Sequence, residues 1–139
     1  DSHERPDTMR HAETVLLTTD LQLAHVVSAA VPWEQVDWQQ SFSSVLTAIT
    51  PATKTLVVDA GADGMMAHLL AMLFLDQRPG RRAVVIDAAG GPARDVADPR
   101  VTVLAQPVTP DAILEALETA GAITAACEDF GAALAFAAA

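Results

Sequence analysis

Short apolar runs, rich in β-branched residues, alternate along the chain with stretches in which apolar residues recur every three or four positions. Thr14–Thr19 (TVLLTT) is the first run. It lacks polar alternation, as a strand buried on both faces of a parallel sheet does. Asp20 follows as a candidate helix cap, and Leu23, Val26, Val27 and Ala30 then recur with helical period up to Pro32. Glu34–Trp38 is a weaker second strand, with Trp33 and Trp38 expected to cover a sheet edge. Ser41 is a plausible cap for a helix carrying Phe42, Val45, Leu46 and Ile49, which ends before Pro51. Thr55–Val58 (TLVV) predicts strand three, ending at Asp59 beside a loop marked by Gly61 and Gly64.

Met65–Leu75 predicts a helix that is apolar nearly all round and should therefore be well buried. Ala83–Ile86 (AVVI) leads to Asp87 as strand four. Residues 88–100 hold glycines, prolines and charges, so at most a short helix fits there. Val101–Ala105 (VTVLA) is strand five, and Thr109–Pro110–Asp111 is a strong helix start: cap, proline in the first turn, acid at the positive end. That helix is expected to reach about Ala120, with Gly121 as its C-cap candidate. Three segments follow: 1–12 as a linker or cloning remnant, 13–121 as one domain, and 122–139 as an alanine-rich tail or extra helix. Alternating strands and helices at this spacing imply a parallel α/β sheet covered on both faces.

Composition narrows the function. With 139 residues there is room for one domain. Eighteen acids against eight bases give a net charge of −10, which disfavours phosphate-neutralising binding to DNA or RNA. The single cysteine, Cys127, leaves no disulfide framework and no cysteine-based zinc site, and suggests a reducing, cytoplasmic setting. No apolar run approaches the roughly 18 residues of a membrane span, and no GxGxxG or phosphate-loop motif occurs. No required cofactor is implied. His25 and His68 stand without ligands at metal-binding spacing, and His68 is expected to be a packing residue.

In open parallel sheets, ligands bind beyond the carboxyl ends of the strands. Thr19, Asp20, Asp59, Asp87 and Gln106–Pro107 occupy those ends. Three aspartates there could gather around a hard cation, or one could act as a nucleophile toward a phosphoryl group. Helix capping and loop solvation are the alternative roles.

The element order, Asp59 ending strand three, and strand five running into VLAQPVTPDAILEAL together resemble the receiver domain of bacterial response regulators. The resemblance covers roughly residues 13–120. It implies a flavodoxin-like five-stranded sheet in the order 2-1-3-4-5 with helices on both faces, the fourth helix here being short or missing. It also implies a phosphoacceptor after strand three, an acid pair after strand one for Mg²⁺, a hydroxyl after strand four and a lysine before the proline after strand five. By position Asp59 matches the acceptor, Asp20 one of the acids, and Pro107 the proline. Thr19 replaces the other acid, Asp87 the hydroxyl, and Gln106 the lysine. Asp20 and Asp59 then hold at most a weak Mg²⁺ site, no cation pairs with a phosphoryl group, and Asp87 opposes one by charge.

The resemblance thus implies a degenerate receiver, regulatory and not enzymatic. Its expected partners are other domains of the same parent protein, such as a hybrid histidine kinase, or a signalling partner protein, with no membrane involved. Docking would use strand five and its flanking helices, with an exposed apolar face around Val101, Val103, Val108 and Ile113. Two further readings stay open. One is an atypical phosphoacceptor using Asp59 with Mg²⁺. The other follows from the arginines, five of the eight bases lying between residues 78 and 100. A cyclic dinucleotide (cyclic di-GMP), bound by some receiver-like domains, could be held by Arg81, Arg82, Arg94, Arg100, Gln106 and Pro107.

Overall fold

The computed structural model describes residues 12–61, 64–87 and 100–138, with side chains of the last helix described to residue 128, Cys127 excepted. The elements are β1 (Thr14–Leu17), α1 (Leu21–Ala30), a 3-10 turn (Trp33–Gln35), β2 (Val36–Gln39), α2 (Phe42–Ala48), β3 (Thr55–Asp59), α3 (Gly64–Gln77), β4 (Arg82–Asp87), β5 (Val101–Ala105) and α4 (Pro110–Ala138). The five strands form one parallel sheet in the order β2-β1-β3-β4-β5, a flavodoxin-like arrangement. The expected short or missing helix, between β4 and β5, falls outside the described residues.

Because successive strand residues face opposite sides, each strand feeds two cores. Val15, Leu17, Leu56, Val58, Ala83, Val85 and Val101 point to the side covered by α2 and α3, where they pack with Val45, Leu70 and Phe74. Leu16, Val57, Val84 and Ile86 point to the side covered by α1 and α4, against Leu23, Val27, Ile113 and Leu117. That double burial is why the central strands show no polar alternation. β2, at the edge, is half-buried after Val36. Trp33 and Trp38 meet edge-to-face beside it, ring centroids 6.1 Å apart, and the Trp38 indole N–H donates to the Thr18 carbonyl at 2.9 Å.

The helix starts follow the expected chemistry. The Asp20 carboxylate accepts from the Gln22 and Leu23 amides and caps α1. Ser41 and Ser44 form a reciprocal capping box on α2. The Thr109 hydroxyl accepts from the Ala112 amide, and Asp111 lies in the first turn of α4. The Gln106–Pro107 peptide that enters this turn is cis.

Two expectations change. The helix does not stop at Gly121: α4 runs on to Ala138, 29 residues in all. A glycine ends a helix by turning left-handed, and the positive-φ glycines among the described residues are Gly61 and Gly80. Ordinary helical backbone at Gly121 lets the strong helix propensity of the alanine-rich continuation prevail. A Cβ at Gly121 would meet the Arg82 side chain at 3.7–3.8 Å, ordinary contact. Gly121→Ala is therefore expected to stabilise the fold by up to about 1 kcal/mol, read as a higher urea midpoint; a lower midpoint contradicts this packing.

The second change concerns α3, which is not buried all round. Ala67, His68, Leu70, Ala71, Phe74 and Leu75 face the core, whereas Met65, Met66, Leu69 and Leu73 are exposed. Apolar residues on every side of a helix do not bring a second layer with them.

Candidate functional site

The parallel register aligns the carboxyl ends of the strands. Leu17 pairs with Val58, so Thr18, the next residue, comes beside Asp59. The Thr18 hydroxyl donates to Asp59 Oδ2 at 2.8 Å, and the Gly61 amide donates to Asp59 Oδ1 at 3.0 Å. Gly61 adopts φ +50°, a conformation that suits glycine and folds its amide back to the carboxylate. Thr18 Oγ1 also accepts from the Asp20 amide at 2.9 Å. One buried hydroxyl thus links the end of β1 to the end of β3.

On the other flank, the Ala60 amide donates to the Ile86 carbonyl at 2.8 Å, setting Asp87 beside the Asp59–Ala60 step. The Gln106 amide donates to the Asp87 carbonyl, also at 2.8 Å. Asp59, Asp87 and Gln106 therefore stand at three neighbouring strand ends, with Asp87 in the middle. Asp87 is buried, and Asp59 and Gln106 are half-buried.

The openings are two shallow clefts. One, of about 170 Å³, is lined by Thr18, Thr19, Ser41, Phe42, Asp59 and Gly61. The other, of about 210 Å³, is lined by Asp20, Leu23, Val26, Gln106, Pro107 and Val108. Asp20 and Asp59 thus line different clefts, and the Asp20 carboxylate is engaged by the amides it caps. No three His, Cys, Asp or Glu side chains among the described residues gather closely enough to hold a metal ion. The expected pairing of Asp20 with Asp59 around Mg²⁺ would have to reach between two clefts, with one Asp20 oxygen, Oδ1, already committed to the helix cap. The side chain that reaches Asp59 from the β1 end is the Thr18 hydroxyl, which carries no charge.

The arginines do not converge on these clefts. Arg81 and Arg82 precede or begin β4, and Arg100 precedes β5, so they lie at the amino ends of strands whose carboxyl ends carry Asp87 and Gln106. The five residues of β5 separate Arg100 from Gln106 by about 20 Å. Arg81 is buried. Its guanidinium donates to the carbonyls of Thr50 (2.9 Å), Thr53 (3.0 Å) and Phe74 (3.1 Å) and to Gln77 Oε1 (2.9 Å), and it lies 4.3 Å over the Phe74 ring. Arg82 donates to Thr55 Oγ1 (2.9 Å) and to the Leu117 carbonyl (3.1 Å), tying β4 to α4. Arg100 pairs with Asp76 at 2.8 Å. A cyclic dinucleotide site joining these arginines to Gln106 and Pro107 is not assembled, and Arg94 lies outside the described residues.

The apolar face expected around strand five also changes. Val101 and Ile113 belong to the two cores, and Val103 and Val108 are half-buried against them. The exposed large apolar side chain in this neighbourhood is Leu114. His68 is buried on the inner face of α3, as a packing residue would be.

Sequence reasoning missed Thr18 and the role of Arg81. The Thr-Thr-Asp run at the end of β1 carried a signal for the first, since a threonine two residues before a helix cap is placed to accept from the backbone turning there. No helix among the described residues is long and apolar enough to cross a membrane. Compared with known proteins, the chain matches no family model, no curated protein and no solved structure.

Proposed function

We propose that this chain is a degenerate receiver-like module. It acts by docking to other protein domains, within a multidomain regulator such as a hybrid histidine kinase, and is not efficiently phosphorylated at Asp59. The observation that carries the reading is the surroundings of Asp59. Its carboxylate sits at the strand end where a phosphoacceptor would stand, yet it is held by a neutral hydroxyl and a backbone amide. Asp87 stands at the next strand end, and Gln106 at the one beyond it. Phosphoryl transfer to a carboxylate needs positive charge around the developing phosphoryl oxygens. This site offers a second carboxylate and a neutral amide instead. The docking surface on this reading is the cleft edged by Gln106, Pro107 and Val108, with the exposed Leu114 on α4.

Amide NMR spectra recorded with and without Mg²⁺ and beryllofluoride, a phosphoryl mimic, test the reading. The expected result is no change at Thr18, Asp59, Gly61 or Val101–Gln106. Shifts centred on Asp59 that spread to β5 would instead make the chain a working phosphoacceptor and overturn the proposal.

A further inference from the structure

At the amino ends of β4 and β5, a cleft of about 310 Å³ opens between the end of α3 and the later turns of α4. It lies at the opposite end of the strands from Asp59, Asp87 and Gln106. Its size is at the lower limit of ligand pockets, roughly 300–1,000 Å³, and suits a small molecule. The cleft carries both signs of charge. Asp76 and Glu128 are acidic, and the carbonyls that end α3 add partial negative charge, with no basic residue in that last turn. Against them stand Arg100, paired with Asp76 at 2.8 Å, and Arg78. Arg78 is exposed and bonds to no other described residue. Glu128 Oε2 accepts from the Gly80 amide, which leaves Oε1 for a ligand. Thr124 lines the same cleft, is only 7% exposed, and has a buried hydroxyl with no hydrogen-bond partner. A buried hydroxyl in that state costs stability until a partner completes it.

We propose that this cleft binds a free α-amino acid with an apolar side chain. The ligand carboxylate takes the Arg78 guanidinium and the Thr124 hydroxyl, and its ammonium takes Glu128 and the end of α3. Its side chain lies on Leu75 and Pro79, the apolar part of the wall. The charges select a zwitterion. A simple anion would meet Asp76 and Glu128 on a chain whose net charge is −10. A simple cation would meet Arg78 and Arg100. A molecule with both charges on one carbon satisfies both poles, and its carboxylate supplies the acceptor that the Thr124 hydroxyl lacks.

The cleft is open to water and its contacts are few, so the dissociation constant is on the order of 100 μM. The inference stands apart from the receiver-like reading. It uses the other end of the strands and needs nothing of Asp59, so either can fail alone.

Amide NMR titration of the full chain with L-leucine to about 5 mM, well above the expected constant, is the test. Saturable shifts are expected at Gln77, Gly80 and Thr124, with none at Thr18, Asp59 or Gly61. Two leucine analogues keep one charge each: isocaproate lacks the ammonium and isoamylamine lacks the carboxylate. Both should bind at least about 10-fold more weakly than leucine. Arg78→Ala and Thr124→Val should each weaken leucine binding by about 10-fold. Thr124→Val should also keep or raise the urea midpoint, because the hydroxyl it removes has no partner in the fold. Arg78 is exposed, so its replacement leaves folding intact and serves if the Thr124 variant does not fold. No shift with leucine overturns the proposal. So does an analogue that binds as tightly as leucine, or a folded Arg78→Ala or Thr124→Val chain with unchanged affinity.

Discussion

Replacing Arg81 by alanine lowers the unfolding free energy by about 4 kcal/mol, a large share of what a domain of this size possesses. The guanidinium reaches three carbonyls, on Thr50, Thr53 and Phe74, and the Gln77 side chain, so it fastens the loop between α2 and β3 to the end of α3. Hydrogen bonds from a charged donor are the stronger kind, and removing the donor strands acceptors that folding has withdrawn from water. The stem also packs on the Phe74 ring, contact that alanine forfeits. Arg81→Lys recovers less than half of the loss, because one ammonium cannot reproduce a planar fork aimed in several directions.

Burial first, and the nearby Arg78 charge second, lower the pKa of Arg81. A base with a lowered folded-state pKa holds its proton less tightly when folded. Its burden on stability would lift only as pH rises through that folded value, far into the alkaline range. The effect of the substitution is therefore flat across neutral pH. Urea titrations of the three chains decide the matter; a loss below about 1 kcal/mol for Arg81→Ala would mean that water or backbone movement replaces the lost donors.

The second large effect is a gain of chemistry. Thr19→Asp, Asp87→Thr and Gln106→Lys, combined in one chain, should raise labelling of Asp59 by acetyl phosphate in Mg²⁺ by about 100-fold. In that step an Asp59 carboxylate oxygen bonds to phosphorus as the phosphorus–oxygen bond to acetate breaks, and acetate leaves. The lysine supplies the cation for the phosphoryl oxygens, the threonine removes a repelling carboxylate, and the new aspartate adds a ligand in the cleft that Thr19 and Asp59 share. Intact-mass measurement with an added Asp59→Asn exchange as control reads the outcome. If the triple variant stays unlabelled, these three side chains are not what governs labelling of Asp59, and the proposed reading of the site loses its chemical basis.

The strands were legible because burial on two faces makes a run of β-branched residues with no polar interruption, as in Thr55–Val58 and Ala83–Ile86. The helix starts were legible because Asp20, Ser41 and Thr109 each carry the oxygen that an opening helix turn needs. That Asp59, Asp87 and Gln106 stand at adjacent strand ends followed from the order of the strands. What escaped depended on direction, which periodicity does not encode. Apolar residues surround α3, but only packing decides that Leu70 faces inward and Leu69 outward. Asp20 has the right charge at the right strand end, yet one of its oxygens caps α1, and a neutral threonine reaches Asp59 instead. Arg81 stands in a run that resembles a solvated turn, and nothing local announces that three carbonyls, two of them about 30 residues earlier in the chain, lie within its reach.

The continuity of α4 has a mechanical consequence. At 1.5 Å per residue its 29 residues span about 43 Å, while the strand before it spans about 17 Å. Its contacts with the rest of the fold run from Ile113 through Ala120 and the buried Thr124 to Glu128, whose carboxylate accepts from the Gly80 amide. The helix is therefore a continuous strut that joins the Gln106–Pro107 turn, beside the cleft that Asp20 shares, to the Gly80 turn that Glu128 holds at the opposite end of the sheet.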